Sequence, residues 1–476
     1  MINKLVKVIA FILCIQALPG QIGTWMVSNR NHPELEWKTI STKQFNIHYH
    51  NGLEETAIKS ARVAEHVMPT LMQQMNLDTI PKIDITLTNE DEFENGFAIR
   101  LTYQVFIWVE QNDMLLWLEK DKWLETVIAH ELQHVLYFEK TKTWLPSPMD
   151  LLIGNTPPWV IEGIAEYMTE SWRPYRADLE HKRHVLSNPD KRSMWDPHAD
   201  GFSKALYWAS RFGDSTFVQV LEYRNDAGLY DFEEAFKKVT GISSKQFVED
   251  WRVHMNTYYY SYRSQKETYE EIGTVLTLPI KRMQSFKFYS DSSKIALLGL
   301  FNKNNRDVSL ILAERDTAKE NKQRKEWDTE TAKINKKKKK TKKDSLRLKK
   351  NYKGTVLWKK SEADFGRFHE SMSWSPDGNK IAYSKYHYAK ENQSLVYDIK
   401  VYDTTTKKDK WITSSMRTRF PVWVDSTNIA FVSVKNDTSN IFISDQNGNL
   451  KQLTDFSGNT QICLLYTSDA ADDFVR

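Results

Sequence analysis

The apolar residues in the first part of the chain are spaced as in a strand and then as in a helix. Phe45, Ile47 and Tyr49 alternate with polar residues within residues 36–50, which predicts a strand. Residues 53–75 then have apolar positions at helical spacing. Pro69 lies inside that stretch, so we expect the helix to kink or stop there.

Two more apolar runs predict strands, at residues 83–87 and 103–109, and Asn95-Gly96 between them predicts a turn. Residues 123–138 then form a long apolar run without Gly or Pro, which predicts a buried helix. A small sheet ahead of that helix would offer an exposed edge with which an extended peptide could pair.

From residue 281 the pattern changes to short strands that follow turns. The sequence FYSDSSKIAL at 288–297 recurs as WSPDGNKIAY at 374–383 and, shortened, as WVDSTNIAF at 423–431. A repeat of roughly 40–50 residues built from hairpins predicts propeller blades, with unrelated hairpins of a sandwich as the alternative. We expect about three blades, which is fewer than a closed propeller needs.

Composition and charge narrow the function classes. The 476 residues allow two or three domains, and 40% hydrophobic with 27% charged residues is ordinary for a folded protein. The net charge of +4 is local, because residues 336–350 carry ten Lys or Arg against one Asp. A nucleic-acid binder would show a broader basic surface, so we predict no nucleic-acid partner. The charged insert 318–351 is predicted to be a disordered loop within a blade, with attraction to anionic lipid or polysaccharide as the alternative.

The beginning of the chain has the pattern of an export signal. Lys4 and Lys7 precede an apolar core too short for a comfortable membrane span, which predicts a signal peptide over residues 1–20. We therefore expect a periplasmic, cell-surface or extracellular protein whose contact with a membrane is at most peripheral. The two cysteines, Cys14 and Cys463, leave the exported chain no disulfide framework.

The end of the chain departs from the blade pattern. Residues 463–473, CLLYTSDAADD, resemble the translation of a common transposon-derived sequencing adapter. We predict that the natural sequence stops near Ile462 and that residues 463–476 are a non-native tail.

The candidate chemistry lies in the apolar helix, at His130-Glu131-Leu132-Gln133-His134. Positions i and i+4 share one helix face, so both imidazoles can bind one zinc ion while Glu131 lies near a metal-bound water. A helix with two buried histidines and a salt-bridged glutamate would give the same pattern.

A second helical stretch, WVIEGIAEYMT at 159–169, supplies two more carboxylates. Glu162 and Glu166 lie one turn apart on one face. Glu162 fits the third protein ligand that a catalytic zinc needs, and Glu166 could orient a ligating histidine through its far nitrogen. Two solvated glutamates on a surface helix are the alternative.

HELQH followed by WVIEGIAEY resembles the gluzincin, or peptidase MA-like, zinc metallopeptidases over residues 37–262. The resemblance implies that His130, His134 and Glu162 bind zinc, that Glu131 is the general base and that Glu166 supports a ligand. The gap between His134 and Glu162 is longer than in the family's commonest forms.

The same resemblance suggests an oxyanion donor. The segment PHADGF at 197–202 resembles the aminopeptidase segment P-Y-E-K-G-F, whose Tyr is that donor, and His198 stands in the place of the Tyr. A histidine can donate a hydrogen bond, and Tyr207 is the competing candidate. Residues 202–223 and 232–239 have helical spacing and resemble the helical subdomain that closes the cleft in this family.

The repeated WSPDG segment resembles the TolB-like and peptidase-associated propellers. Together the resemblances imply an α+β thermolysin-like metallopeptidase domain over residues 21–270, followed by an incomplete all-β propeller over residues 271–462. The implied function is that of an exported zinc metallopeptidase, in which a zinc-activated water and Glu131 hydrolyse a peptide or protein substrate. A noncatalytic surface or periplasmic binding protein, which acts on a protein partner through the propeller, is the alternative.

Overall fold

A computed structural model describes the chain from residue 32 to residue 462, and the predicted signal peptide and non-native tail lie outside the described residues. The chain divides into two units, residues 1–267 and 268–476, which are described separately. Within 32–462 the description omits residues 94, 101, 110–122, 143–155, 172–173, 188–189, 195, 227–230, 267–275, 277, 281, 301–307, 351, 353–355, 391–392, 436–437 and 458–461.

The first unit begins with a five-stranded mixed sheet in the order β1-β2-β3-β5-β4. The three inner strands β2, β3 and β5 are parallel, and the edge strands β1 and β4 are antiparallel to their neighbours. The strands are β1 (Trp37–Ser41), β2 (Phe45–His50), β3 (Ile83–Thr88), β4 (Gly96–Ile99) and β5 (Gln104–Trp108).

Two of these strands correct the prediction. The single strand expected within residues 36–50 is a hairpin of β1 and β2, and the expected turn at Asn95-Gly96 leads straight into the edge strand β4. Gly96 is required by close approach rather than by a turn. A Cβ built on Gly96 would lie 2.9 Å from Val127 Cγ2 and 3.0 Å from Glu131 Cγ.

The helix α1 (Glu54–Gln74) runs through Pro69 without stopping. Pro69 lies on the exposed face, where the carbonyl left without a partner can bind water. Ala57, Ala61, Ala64 and Leu71 pack the opposite face into the core, and this burial holds the helix together on both sides of the proline.

Most of the remaining helices of the first unit pack around one core that they share with the sheet, and a second, smaller cluster contains Val185, Trp251 and Met255. The stretch predicted as one helix over residues 202–223 is two helices, because Gly213 adopts φ +85° and ends the first of them. No helix in the described parts of the chain is long and apolar enough to cross a membrane. The helices are α2 (Trp123–Lys140), α3 (Pro158–Glu170), α4 (Asp178–Ser187), α5 (Pro197–Phe212), α6 (Ser215–Asp226), α7 (Phe232–Thr240) and α8 (Ser244–Ser264).

The second unit contains three successive four-stranded antiparallel sheets that resemble propeller blades. In each sheet the strands pair in chain order, and the first pair has a register shift. The sheets are β6 (Arg282–Phe288), β7 (Lys294–Leu300), β8 (Val308–Arg315) and β9 (Trp358–Gly366); β10 (Phe368–Trp374), β11 (Lys380–Tyr388), β12 (Leu395–Asp403) and β13 (Lys408–Trp411); and β14 (Thr418–Trp423), β15 (Asn428–Lys435), β16 (Thr438–Asp445) and β17 (Leu450–Gln452).

The repeated turn segments join neighbouring sheets. Trp374 Nε1 donates to the Lys287 carbonyl at 3.0 Å, and Tyr289 Oη donates to the Pro376 carbonyl at 2.7 Å. Trp374 of the second repeat and Tyr289 of the first therefore join the first sheet to the second.

The charged insert corrects the prediction of disorder. It forms the helices α9 (Thr317–Asn335) and α10 (Lys342–Leu348) between β8 and β9. Its Lys, Glu, Arg and Ala residues are strong helix formers, and Asp316 and Thr341 cap the two N-termini. The prediction of disorder rested on composition, because a highly charged insert can bury little apolar surface. The helix-forming residues and the two N-caps nevertheless favour helices.

Candidate metal centre

The helix α2 carries the H-E-x-x-H residues on a face that is buried from end to end. His130, Glu131 and His134 are at most 8% exposed, and their neighbours Leu132, Val135 and Leu136 fill the core. The apolar run that buries this helix thereby places three polar side chains out of water. Such groups need partners within the protein or in a ligand.

The helices α3 and α5 cross at two glycines, and this crossing assembles the rest of the site. A Cβ on Gly163 would lie 2.6 Å from the Gly201 carbonyl oxygen, so the two backbones touch. Glu162 and Glu166 flank Gly163 on α3, and His198 lies one turn before Gly201 on α5. Because neither glycine has a side chain, α3 and α5 approach closely enough for the carboxylates of Glu162 and Glu166 to contact His198.

The position of His198 is fixed by the start of α5. Asp196 caps this helix by accepting a hydrogen bond from the His198 amide at 3.0 Å, and Pro197 occupies the first turn. Further along, the Asp200 carboxylate accepts from the Met194 amide at 2.8 Å and pairs with the fully buried Lys204 at 2.6 Å. The first turn of α5 is therefore fixed by the Asp196 cap and by the contacts of Asp200 with Met194 and Lys204.

Three of the predicted ligand atoms form a small triangle. His130 Nε2 and His134 Nε2 are 3.1 Å apart, and Glu162 Oε2 lies 3.5 Å from the first and 3.4 Å from the second. Ligand atoms at 2.0–2.1 Å around a tetrahedral zinc ion lie about 3.3 Å apart. The donor types and their spacing therefore fit zinc, although the gap between His134 and Glu162 in the sequence is long.

The hydrogen-bond pattern of these residues also fits a missing ligand. Glu131 Oε2, His134 Nδ1 and Glu162 Oε2 are buried and have no hydrogen-bond partner among the described residues. Buried polar atoms in folded proteins are almost always paired, so the unpaired Glu162 Oε2 within the triangle indicates a ligand site, whereas His134 Nδ1 lies on the side of its ring away from the triangle. Two groups among the described residues could hold a metal ion, His130 with His134 and Glu162, and His130 with Glu166 and His198.

Glu131 lies between the metal triangle and the edge strand β4. Its side chain packs against Gly96, and a hydrogen bond from the Ala98 backbone reaches its carboxylate. Burial raises the pKa of Glu131 to about 7, with a further contribution from the Glu162 charge and an opposing one from His134. A carboxylate with a pKa near neutrality can both take up and release a proton.

Glu162 is held as a carboxylate. Burial alone would raise its pKa, but the close approach of the His130 and His134 rings holds the pKa of Glu162 well below its usual range. The site therefore separates the half-buried carboxyl group of Glu162 from the buried one of Glu131 by their protonation, with Glu162 charged and Glu131 near its midpoint at neutral pH.

Glu166 lies closer to His198 than to either predicted histidine ligand. Its Oε1 atom is 3.1 Å from His198 Nδ1 but 3.9 Å from His130 Nδ1, which is beyond hydrogen-bond range. Burial opposes the charged form of His198, but the hydrogen bond with Glu166 and the charge of Glu162 raise its pKa to about 9. The carboxylate of Glu166 therefore pairs with His198, and support of a ligating histidine by Glu166 stays a prediction.

The competing oxyanion candidate, Tyr207, contacts other residues. Its ring stacks on His254 with centroids 4.9 Å apart and packs on Phe247, and its hydroxyl is 3.4 Å from Arg211. His198, by contrast, lies 5.3 Å from His130 between ring centroids. The structure therefore brings His198 together with the other predicted site residues and leaves Tyr207 in a different cluster.

Sequence reasoning did not recognise the residues that position the site. Gly96, Gly163 and Gly201 act through close contacts between elements, which no local pattern reveals. Asp196 could have been found, because an Asp followed by Pro is a common start of a helix.

Comparisons with known proteins give no family. No protein-family model matches this chain, and no curated protein matches it. Among solved structures, TolB from Acinetobacter baumannii is 18% identical, with a TM-score of 0.24 over 37% of this chain and 33% of its own. The β-propeller domain of the Trilobed protease from Pyrococcus furiosus is 14% identical, with a TM-score of 0.22 over 37% of this chain and 43% of its own. The chain spans less than half of either structure, so its function rests on the geometry of the site.

Proposed function

We propose that the first unit is a zinc-dependent peptide hydrolase of the gluzincin type, with a thermolysin-like arrangement of helices around the metal. The observation that carries this proposal is the triangle of His130 Nε2, His134 Nε2 and Glu162 Oε2, with sides of 3.1–3.5 Å. Two imidazoles and one carboxylate are a common ligand set of catalytic zinc, which keeps a fourth position open.

Zinc held by these three residues would polarise a substrate carbonyl and lower the pKa of water beside Glu131. Glu131 takes the proton from the attacking water and passes it to the leaving amine. The Glu131 pKa of about 7 suits both proton transfers, and a nearby cation would favour the charged, proton-accepting form of the side chain.

His198 donates a hydrogen bond to the developing oxyanion. Its Nδ1 atom is engaged by Glu166 at 3.1 Å, which orients the ring and leaves Nε2 as the donor. A pKa of about 9 keeps the ring protonated at neutral pH, so the donor carries a charge as well.

The edge strand β4 is the surface for an extended substrate. Among the described residues it pairs only with β5, and Glu131 packs against it through Gly96. A peptide that paired with the free edge of β4 would place its backbone beside Glu131. Peptide or protein substrates of an exported enzyme fit this arrangement, and the blades of the second unit are a surface for a protein partner.

Glu131→Gln tests this function directly. The variant keeps the shape of the side chain and all three zinc ligands but cannot accept a proton. We expect bound zinc to remain, and cleavage of a mixed peptide library to fall by roughly 10²–10⁴-fold. Metal content by mass spectrometry and peptide cleavage are the two measurements.

Glu125→Gln is the matched control, because Glu125 is exposed near the start of the same helix. It should cleave at the wild-type rate. If Glu131→Gln cleaved as fast as this control, Glu131 would not be the base. A chain that binds no zinc and cleaves no peptide would instead favour a binding protein that acts through the blades.

A further inference from the structure

The insert in the first blade is a helical hairpin with a firm base. The Asp316 amide donates to the Leu357 carbonyl at 2.8 Å, and the Leu357 amide donates to Glu320 Oε1 at 2.9 Å. Arg315 pairs with the same carboxylate at 3.0 Å. These bonds join the start of α9 to the residue that leads into β9, so the hairpin leaves the sheet in a defined direction.

The two helices of the hairpin are also tied to each other. Arg347 of α10 pairs with Glu330 of α9 at 2.5 Å and stacks over Trp327 at 4.4 Å. Trp327 in turn packs on Tyr352, with ring centroids 5.7 Å apart. The hairpin is therefore a built element, and its tip has a fixed place at the far end of α9, roughly 28 Å from the base.

The tip of the hairpin is strongly cationic. Residues 336–340 are five consecutive lysines, and all five are exposed. Lys337 pairs with Asp344 at 3.1 Å. Within the described residues, Lys338, Lys339 and Lys340 have no acidic partner. Three unneutralised charges at the end of a projecting element attract an anionic surface.

The short helix α10 adds an apolar residue to this cationic surface. The side chain of Leu346 is 54% exposed, next to Arg347, which faces α9. It lies three or four positions from Lys342, Lys343, Lys349 and Lys350, which therefore share its face of the helix and of the turn that follows. An exposed leucine surrounded by lysines is the pattern of an element that lies in a membrane interface.

We propose that the tip of this hairpin, residues 336–350, docks the protein on an anionic lipid bilayer. The lysines supply attraction to acidic headgroups, and Leu346 enters the boundary between headgroups and acyl chains. A soluble polyanion would use the lysines but would gain nothing from the leucine, so the exposed Leu346 favours lipid. This inference does not depend on the hydrolase proposal, because it concerns residues of the second unit only.

Binding of the full chain to phosphatidylcholine vesicles with and without phosphatidylglycerol tests the proposal. We expect sedimentation with the anionic vesicles only, and weaker binding as salt is raised. Lys338→Gln, Lys339→Gln and Lys340→Gln together should weaken binding about a hundredfold, because each lysine near such a surface contributes about fivefold. Leu346→Ala should weaken it about tenfold without changing the salt dependence.

The matched control removes three exposed lysines from the other end of the same hairpin, as Lys319→Gln, Lys322→Gln and Lys325→Gln. Lys322 lies about 21 Å along α9 from Lys336, well beyond the screening length of about 8 Å at physiological salt. This variant has the same net charge as the tip variant. It should bind nearly as wild type.

Three outcomes would overturn the proposal. The first is no preference for anionic vesicles, and the second is equal binding by the tip variant and its control. The third is binding to heparin as tight as binding to vesicles, with neither affected by Leu346→Ala. That result would assign the tip to polyanions and not to a bilayer.

Discussion

Both units bury carboxylates, but they treat the buried oxygen atoms differently. Asp398 of β12 has no exposed surface, and each of its oxygens is occupied. It accepts from the Ser415 amide at 2.6 Å and pairs with His387 Nε2 at 2.8 Å. Its remaining partners are Thr413 Oγ1, the Met416 amide and Thr418 Oγ1.

Two carboxylates of the candidate site in the first unit are less satisfied. Glu131 Oε2 and Glu162 Oε2 are buried without a hydrogen-bond partner among the described residues. Leaving such an atom unpaired lowers the stability of the fold by about 1–3 kcal/mol, and by more when the group is charged. A completed network therefore indicates a structural role for Asp398, whereas an unpaired oxygen within the His130–His134–Glu162 triangle indicates a site that a ligand completes.

The largest effect should follow from removing a ligand atom at the incomplete site. Glu162→Gln replaces a carboxylate oxygen of the triangle with an amide, and we expect zinc affinity to fall about a thousandfold, more than the loss of an outer partner costs. Zinc at about 100 times its Kd should stabilise the wild type by about 2.7 kcal/mol, and this gain should vanish in the variant. Zinc titration followed by calorimetry and thermal unfolding measures both.

An unchanged zinc affinity in Glu162→Gln would remove Glu162 from the ligand set. It would also break the comparison, because the orphaned oxygen would then have no ligand to explain it.

A smaller effect, on stability alone, should follow from a change at the completed network. Asp398→Asn keeps the volume but turns one acceptor into a donor that faces the Ser415 or Met416 amide. We expect the second unit to lose about 3 kcal/mol, since the partners of a buried charge are left unpaired. Chemical denaturation gives the loss, and faster hydrogen exchange in residues 412–418 locates it.

Zinc binding provides the contrast for this variant. Asp398→Asn should bind zinc as the wild type does, because none of the partners of Asp398 is a predicted site residue. Weaker zinc binding would show that the two buried networks are not independent.

The residues of the candidate site could be found from the sequence because they lie in short local patterns. H-E-x-x-H and the E-G-I-A-E segment each place their polar residues on one helix face, and helical spacing is the property that a sequence displays best. The helix α2, the inner strands β2, β3 and β5, and the repeated hairpins were predicted for the same reason.

The rest depended on contacts between distant parts of the chain. The strand β4 has four residues and begins at a glycine that suggests a turn, yet Gly96 serves the approach to Glu131. Pairing of Glu166 with His198 depends on the crossing of α3 and α5. The charged insert was predicted to be disordered from its overall composition. Its helix caps and the Arg347–Glu330 pair instead favour helices.

The smallest of these effects tests how precisely the site is positioned. Gly163→Ala adds one methyl group, whose carbon would lie 2.6 Å from the Gly201 carbonyl oxygen and 3.3 Å from Ala205 Cβ. Backbone atoms cannot give way as a flexible side chain can, so α3 and α5 must separate. We expect a loss of about 2 kcal/mol in the free energy of unfolding. Zinc affinity should fall as well, because Glu162 moves with α3 away from the two histidines of α2.

Gly241→Ala is the control, since Gly241 is a helix C-cap at φ +80° with nothing within 4 Å of the added carbon. It should cost about 1 kcal/mol through backbone strain and leave zinc affinity unchanged. If both variants lost stability and neither lost zinc, the helix crossing would support the fold without setting the position of Glu162. The incomplete network of the first unit would then owe its geometry to α2 alone.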